Sequence, residues 1–377
     1  MGTATSAIGD YDHTVNVFAS DEVLIRLQDL GRTEDIKFSP DCRRLAIAGF
    51  KKSKLLILDV EVVASLTGTS VKLTNLVEVT SPSLNRPHGL AFIDDETLIV
   101  ANRRGKAPVF KIPSGGKDKK IFDIGAILTL GCNDQHKIES PGSVSVWRLD
   151  HDHFEILICN NYVHHVTRHI LEKKSRFRLI SSEILLSSGL TIPDGVAVNN
   201  GNHWIAISNH DNHCVCLYQN KPQLNLQSKP DGILRNINYP HGLRFTEDDN
   251  FVIVADAGSP YVNIYAKNGG SWEGTRNPRA TLRVMDEATY LRGKINPQEG
   301  GVKGIDIDRD MNVLVTTCEE KVLQFFDLRH VIRQRGVPLD RRKRYLQWQY
   351  ARFKHNKLPT LPGVSFSWNF LRKVISS

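Results

Sequence analysis

Six short stretches place a polar or charged side chain just ahead of an apolar run: Glu34-Asp35, His88, Ser143, Asp194, His241 and Lys303. Asn160 and Asn161 close a further apolar run. Gathered at one point, Glu34, Asp35, His88, Asp194 and His241 with one of these asparagines would make a ligand set for a divalent cation. Oxygen donors favour calcium, whereas imidazoles favour zinc, manganese or iron. An imidazole near neutral pH also suits a general base, the role expected of His88. Each side chain has a plainer use as well, as a partner for the backbone of a neighbouring strand.

Residues this far apart meet only if the segments behind them converge. The segments are copies of one pattern, beginning near Thr33, Arg86, Ser140, Ile192, Tyr239 and Gly300. The clearest read RPHGLAFIDDETLIVANRRGKAPVFKI, IPDGVAVNNGNHWIAISNHDNHCVCLYQ and YPHGLRFTEDDNFVIVADAGSPYVNIYAK. β-branched and small apolar residues alternate strand-like between Asn-Asn-Gly or Glu-Asp-Asp-Asn turns. A repeat of roughly 40–50 residues holding several short strands is the signature of a β-propeller. The expected fold is therefore all-β, a six-bladed propeller over residues 11–330, with a seven-bladed ring as the alternative. The innermost strands line its channel, and the glycine of each Pro-His/Asp-Gly is expected to let the backbone turn inward.

A ring must dispose of its edges. The run HTVNVFASDEVLIRLQDL, His13–Leu30, is expected to supply the third and fourth strands of the blade begun at Gly300. Segments such as KKIFDIGAI and FRLISSEILL read as outer fourth strands.

Beyond Leu328 the pattern gives way to helix formers and a Pro-Thr-Leu-Pro break, so residues 331–377 form a separate basic, aromatic extension. Arg333–Lys357 holds nine Lys or Arg against the single acid Asp340, and the net charge of the whole chain is +8. The excess charge thus belongs to the tail rather than to the ring. Arg341, Arg342, Lys343, Arg344 and Trp348 are its candidate partner-binding residues. Basic and aromatic side chains interleaved in this way grip phosphates and stack on bases, or lie on an acidic membrane or protein surface. The plainer reading is a solvated helix with its aromatics packed on the ring.

No apolar run approaches the roughly 18 residues of a membrane span. Met1–Asp10 has neither a basic start nor a long apolar core, so no secretory signal is expected. The six cysteines sit mostly in strand-like runs without zinc spacing, as expected for reduced thiols in the cytoplasm.

At these residues the chain resembles the six-bladed paraoxonase, gluconolactonase and NHL-like propellers, and most nearly the paraoxonases, which are arylesterases and lactonases. GRTEDIKFSPDCRRLAIAGF is similar to that family's Ser-Glu-Asp segment, which implies Glu34 at a catalytic calcium and Asp35 at a structural one. RPHGLAF resembles the segment that carries the proposed base, here His88. DHFEILICNNYVHH looks like the family's Thr-Asn-Asp segment, implying Asn160 at the first ion and Asn161 at the second. IPDGVAV puts Asp194, and YPHGLRF puts Pro240-His241, where further ligands are expected. The chain departs from the family at Pro240, which carries no carboxylate, at the imidazole of His241, and in lacking a second histidine between Lys111 and Asp123. Paired PH motifs are also similar to those of a zinc-using amidating lyase propeller.

The resemblance implies a metal-dependent hydrolase acting on a small ester or lactone. Glu34, Asn160, Asp194 and His241 would hold the catalytic metal, Asp35 and Asn161 a second, and His88 would deprotonate water. Calcium is the first expectation for the cofactor, with zinc or another transition metal second. The alternative is a non-catalytic scaffold with a vestigial site, docking an acidic partner through its basic tail.

Overall fold

The computed structural model describes residues 13–65, 68–115, 120–131 and 137–333. Its strands form six sheets around one axis. Blade 1 runs outward as β2 (Thr33–Phe38), β3 (Arg44–Gly49), β4 (Lys54–Ala64) and β5 (Thr69–Thr80), with β1 (Asn16–Ala19) added outside. Blade 2 is β6 (Pro87–Asp94), β7 (Thr97–Asn102), β8 (Ala107–Lys111) and β10 (Leu128–Leu130). Blade 3 is β11 (Pro141–Arg148), β12 (His153–Asn160), β13 (His165–Lys173) and β14 (Phe177–Leu186). Blade 4 is β15 (Pro193–Val198), β16 (Trp204–Asn209), β17 (Cys214–Gln219), β18 (Gly232–Leu234) and β22 (Gly274–Arg276). Blade 5 is β19 (Pro240–Phe245), β20 (Phe251–Asp256), β21 (Tyr261–Ala266) and β23 (Ala280–Arg283). Blade 6 is β24 (Gly304–Ile307), β25 (Val313–Thr317) and β26 (Gln324–Asp327).

The six inner strands β2, β6, β11, β15, β19 and β24 touch one another in circular order. The hydrophobic core is split accordingly into six clusters, each lying between two adjacent blades. The cluster that closes the ring joins Val313, Val315 and Phe325 of blade 6 to Ile36, Leu45 and Ile47 of blade 1. Cys214 and Cys216, two apart on β17, both face the core between blades 3 and 4, as the period of two in a strand requires. The turn between β15 and β16 places Gly201 at φ 95°. There the Asn199 side-chain oxygen accepts from the amides of His203 and Trp204, at 2.8 and 2.6 Å.

Closure differs from the sequence expectation. His13–Leu30 does not supply two strands to blade 6. It gives only the bridge Thr14–Phe326, supported by Val15 N donating to Phe325 O at 3.1 Å and Asp327 N to His13 O at 2.8 Å. The chain then pairs β1 in parallel with β5 of blade 1, so it clasps both neighbours. The next element is the helix α1 (Asp21–Leu30), not a strand. Ser20 caps it, Asp21 and Glu22 stand in its first turn, and Val23, Leu27 and Leu30 recur on its buried face. This capped pattern of three to four residues is a helical signal that outweighs the β-branched content. In the same way β9 (Ile121–Asp123), from KKIFDIGAI, joins β5 of blade 1 rather than blade 2. FRLISSEILL does become β14, the outer strand of blade 3.

A short helix α2 (Glu287–Gly293) precedes blade 6, and α3 (Leu328–Arg333) comes after it. Arg341, Arg342, Lys343, Arg344 and Trp348 lie outside the described residues. Among the described residues no helix is long and apolar enough to cross a membrane.

Candidate metal centre

In blades 1, 2, 4 and 5 the inner strand loses its regular pairing just where its polar residue stands. In blade 1 the register passes from Thr33 opposite Gly49 to Ile36 opposite Ile47, leaving Glu34 and Asp35 in a bulge. In blades 4 and 5 the same break falls between Pro193 and Val196 and between Pro240 and Leu243, leaving Asp194 and His241 free of the ladder. A bulge re-aims a side chain, and here it directs Glu34, Asp194 and His241 at the axis. The glycine after each of these positions in blades 4 and 5 serves a close approach rather than an inward turn. A Cβ at Gly195 would lie 2.0 Å from His241 O, and one at Gly242 would lie 2.6 Å from Lys303 O. Neither glycine has a positive φ.

Glu34, His88 and His241 meet at the centre. Their ligand atoms all lie within 4.8 Å of one another, and all three residues are buried. Glu34 Oε2 stands 3.6 Å from His88 Nε2 and 3.7 Å from His241 Nε2. The two imidazoles stack with centroids 5.2 Å apart. His88 Nδ1 lies 2.7 Å from Gly142 O. That contact makes Nδ1 the protonated nitrogen and turns the Nε2 lone pair toward the centre. Asp194 Oδ2 lies 3.2 Å from His241 Nε2, and its Oδ1 accepts from Asn161 Nδ2 at 2.6 Å.

Cations surround this core. Arg32 Nε donates to Glu34 Oε1 at 2.5 Å, and Lys303 Nζ lies 3.2 Å from Oε2. Lys303 also pairs with Glu299 and Glu319, at 2.6 and 2.9 Å. Arg103 Nη2 contacts His88 Nε2 at 2.6 Å and Asp194 Oδ1 at 3.5 Å. Burial alone would raise Glu34, but Lys303, His88 and Arg32 outweigh it and hold the carboxyl well below its usual range. Asp194 is likewise held low against its burial by His241, His88 and Arg103. Burial, with Arg103 close by, depresses His88 to about 3. His241 is also lowered, by burial first. Both rings are thus neutral at physiological pH, the state in which imidazole binds metals.

Four buried side-chain atoms of this network carry no hydrogen bond: Glu34 Oε2, Arg103 Nη1, Asn161 Oδ1 and Glu319 Oε1. Glu34 Oε2 is buried, pairs with Lys303 Nζ at 3.2 Å and faces two imidazole nitrogens. Two imidazoles and a carboxylate converging on it fit a divalent metal. Ligands 2.0–2.1 Å from a tetrahedral ion stand roughly 3.3 Å apart, so a small inward adjustment suffices.

Asn160 and Asp35, expected as ligands, are not in the cluster. Asn160 Oδ1 accepts from Glu139 N at 2.8 Å, and its Nδ2 donates to Ile158 O and Thr167 Oγ1, at 3.1 and 3.2 Å. The same role recurs at the end of the second strand in blades 2, 4 and 5. Asn102 accepts from Asn85 N, Asn209 from Thr191 N, and Asp256 from Asn238 N and Tyr239 N. These side chains tether the loop that leads into their own blade's inner strand. The next residue along, Arg103, Asn161 or His210, faces the axis, so the ligand-bearing position is one later than expected. Asp35 Oδ2 accepts from Leu90 N at 3.0 Å, and its Oδ1 pairs with Lys37, so it ties β2 to β6.

Arg32, Arg103, His210, Glu299, Lys303 and Glu319 were not anticipated as site residues. Lys303 had a signal, since it stands ahead of β24 as His241 stands within the start of β19. Glu299 and Glu319 arrive from loops with no pattern of their own.

No family model matches the chain, and no curated protein matches it. A solved structure, "a functionally unknown protein from Desulfotomaculum acetoxidans DSM 771", aligns with a TM-score of 0.51 at 12% identity, covering 79% of this chain and 83% of that one. It is similar in fold alone.

Proposed function

We propose that this propeller is a metal-dependent hydrolase whose centre is Glu34, His88 and His241. The observation that carries the reading is the buried convergence of Glu34, His88 and His241, with Glu34 Oε2 3.6 and 3.7 Å from two imidazole nitrogens. The donor set favours zinc or a similar transition metal over calcium, which takes six to eight oxygens. His88 accordingly moves from base to ligand. The reaction class, hydrolysis of a small ester or lactone, rests on the resemblance in blade order.

Such a metal, when bound, polarises a carbonyl and acidifies a water molecule. Asp194, fixed by Asn161 and kept ionised, stands 3.2 Å from this same His241 Nε2 and would accept a hydrogen bond from a water beside it. Arg103 and Lys303 offset the carboxylates, so the centre need not hold excess negative charge. The buried thiols Cys159, Cys214, Cys216 and Cys318 support a reducing, cytoplasmic setting.

The non-catalytic reading has its own observation: Arg103 already sits on His88 and Lys303 on Glu34, a network that could serve structure alone. Elemental analysis with phenyl acetate and dihydrocoumarin hydrolysis separates the two. One divalent metal per chain, lost together with hydrolysis in Glu34→Gln and His241→Ala, is the expected result. Metal-free protein, or hydrolysis unchanged in both variants, overturns the enzyme reading.

A further inference from the structure

Above the axial cluster the channel rim carries guanidinium groups backed by aromatic rings. Arg103 lies over the Tyr162 ring, 5.4 Å from its centroid, and Tyr162 is 62% exposed. Its Nη2 reaches inward to His88, while its Nη1 is buried and has no acceptor. Phe50 meets His88 edge-on, with ring centroids 6.0 Å apart. Arg86 lies over that ring at 5.6 Å, and Arg32 at 4.9 Å. The two arginines are tied together, since Arg103 N donates to Arg86 O at 2.9 Å. Among the described residues Arg86 has no carboxylate partner. Arg103 has only Asp194, at 3.5 Å, which Asn161 and His241 share. Glu299 and Glu319, the acids nearby, are engaged by Arg32 and Lys303.

These groups have donors left over and one exposed aromatic ring. We propose that Arg103 and Arg86 clamp the carboxylate of an anionic acyl substrate, preferably an aromatic one, at the entrance to the centre. The proposal rests on the hydrolase reading and names its substrate class. A planar guanidinium matches a carboxylate through two parallel hydrogen bonds. The exposed Tyr162 ring offers a stacking surface to the rest of the molecule. A carboxylate on Arg103 also draws the Nη2 hydrogen away from His88, freeing its Nε2 lone pair for the centre.

Calorimetric titration of chelator-treated full-length protein tests this apart from the metal, with benzoate, its neutral isostere benzamide, and phenyl phosphate as probes. Benzoate is expected to bind at least about tenfold more tightly than benzamide. Arg86→Gln and Arg103→Lys are each expected to weaken benzoate by about tenfold, the second because lysine keeps the charge but lacks the fork. Equal binding of benzoate and benzamide, or of benzoate to wild type and both variants, overturns the clamp. Tighter binding of phenyl phosphate overturns the carboxylate assignment. Elemental analysis of the same variants reads the metal centre separately, so either reading can fail while the other stands.

Discussion

Glu34 of blade 1 and His241 of blade 5 approach to 3.7 Å across the propeller axis, and neither could do so without closure of the ring. Each is exposed to solvent by less than a tenth. Their contact makes the centre a reporter of ring integrity.

Removing the charge at Glu34 leaves Lys303 and Arg32 short of a buried partner. Glu34→Gln is expected to lose bound metal and to destabilise the fold by about 3–5 kcal/mol, the cost of breaking a buried ion pair. Chemical denaturation reads the second effect. A variant as stable as wild type would show that Glu299 and Glu319 suffice for both cations.

Chelation should lower the melting temperature of wild-type protein if the ion binds only the folded ring. Re-addition of zinc should restore the loss, and calcium at equal concentration should restore less. The reverse order would return the centre to oxygen-ligand chemistry.

Close packing of inner strands sets a steric test. Gly195→Ala pushes a methyl to 2.0 Å from His241 O, against backbone, and should cost about 2 kcal/mol or more. Gly125→Ala, with nothing within 4 Å of the added atom, should stay within about 0.5 kcal/mol of wild type. Similar stabilities for the two would remove the close-approach account of the Asp-Gly motif.

The carboxyl of Glu319 is pushed up to about 7 by burial and by Glu299 beside it. An acid raised above its ordinary value of 4.5 supports the fold while protonated. That contribution is complete below the ordinary value and disappears as pH rises toward 7. Glu319→Gln stays neutral throughout. The stability of wild type relative to this variant should therefore fall by roughly 1 kcal/mol per pH unit between about pH 5 and 7. A flat difference over that range would mean that the carboxyl is ionised in the fold at both ends.

At the N-terminal clasp, Leu30 is fully buried in the cluster joining blades 6 and 1. Leu30→Ala should cost about 2–5 kcal/mol, measured by denaturant titration. A near-neutral result would show that α1 rides on the ring without closing it.

Much of this was legible in local patterns. The alternation within each copy, the turns between strands and the sixfold recurrence determined a six-bladed ring, because each blade is a short-range structure repeated. The same register located Glu34, His88, Asp194 and His241, since a side chain ahead of an inner strand has one direction open to it. The helix α1 was legible too, in Ser20 and the spacing of Val23, Leu27 and Leu30, but the β-branched residues just before it mask that period.

Tertiary structure decided the rest. Asn160 and Asn161 stand side by side at a strand end, where a turn breaks the alternation, and only the loop behind Asn160 shows which one is already engaged. Asp35 is adjacent to Glu34, yet the amide of Leu90 from the next blade claims it. Arg103, Lys303, Glu299 and Glu319 belong to the site because of which blades are neighbours in space. Long-range electrostatics among buried groups leaves no periodic trace in a sequence, so the charge balance of the axis appears only when the ring is closed.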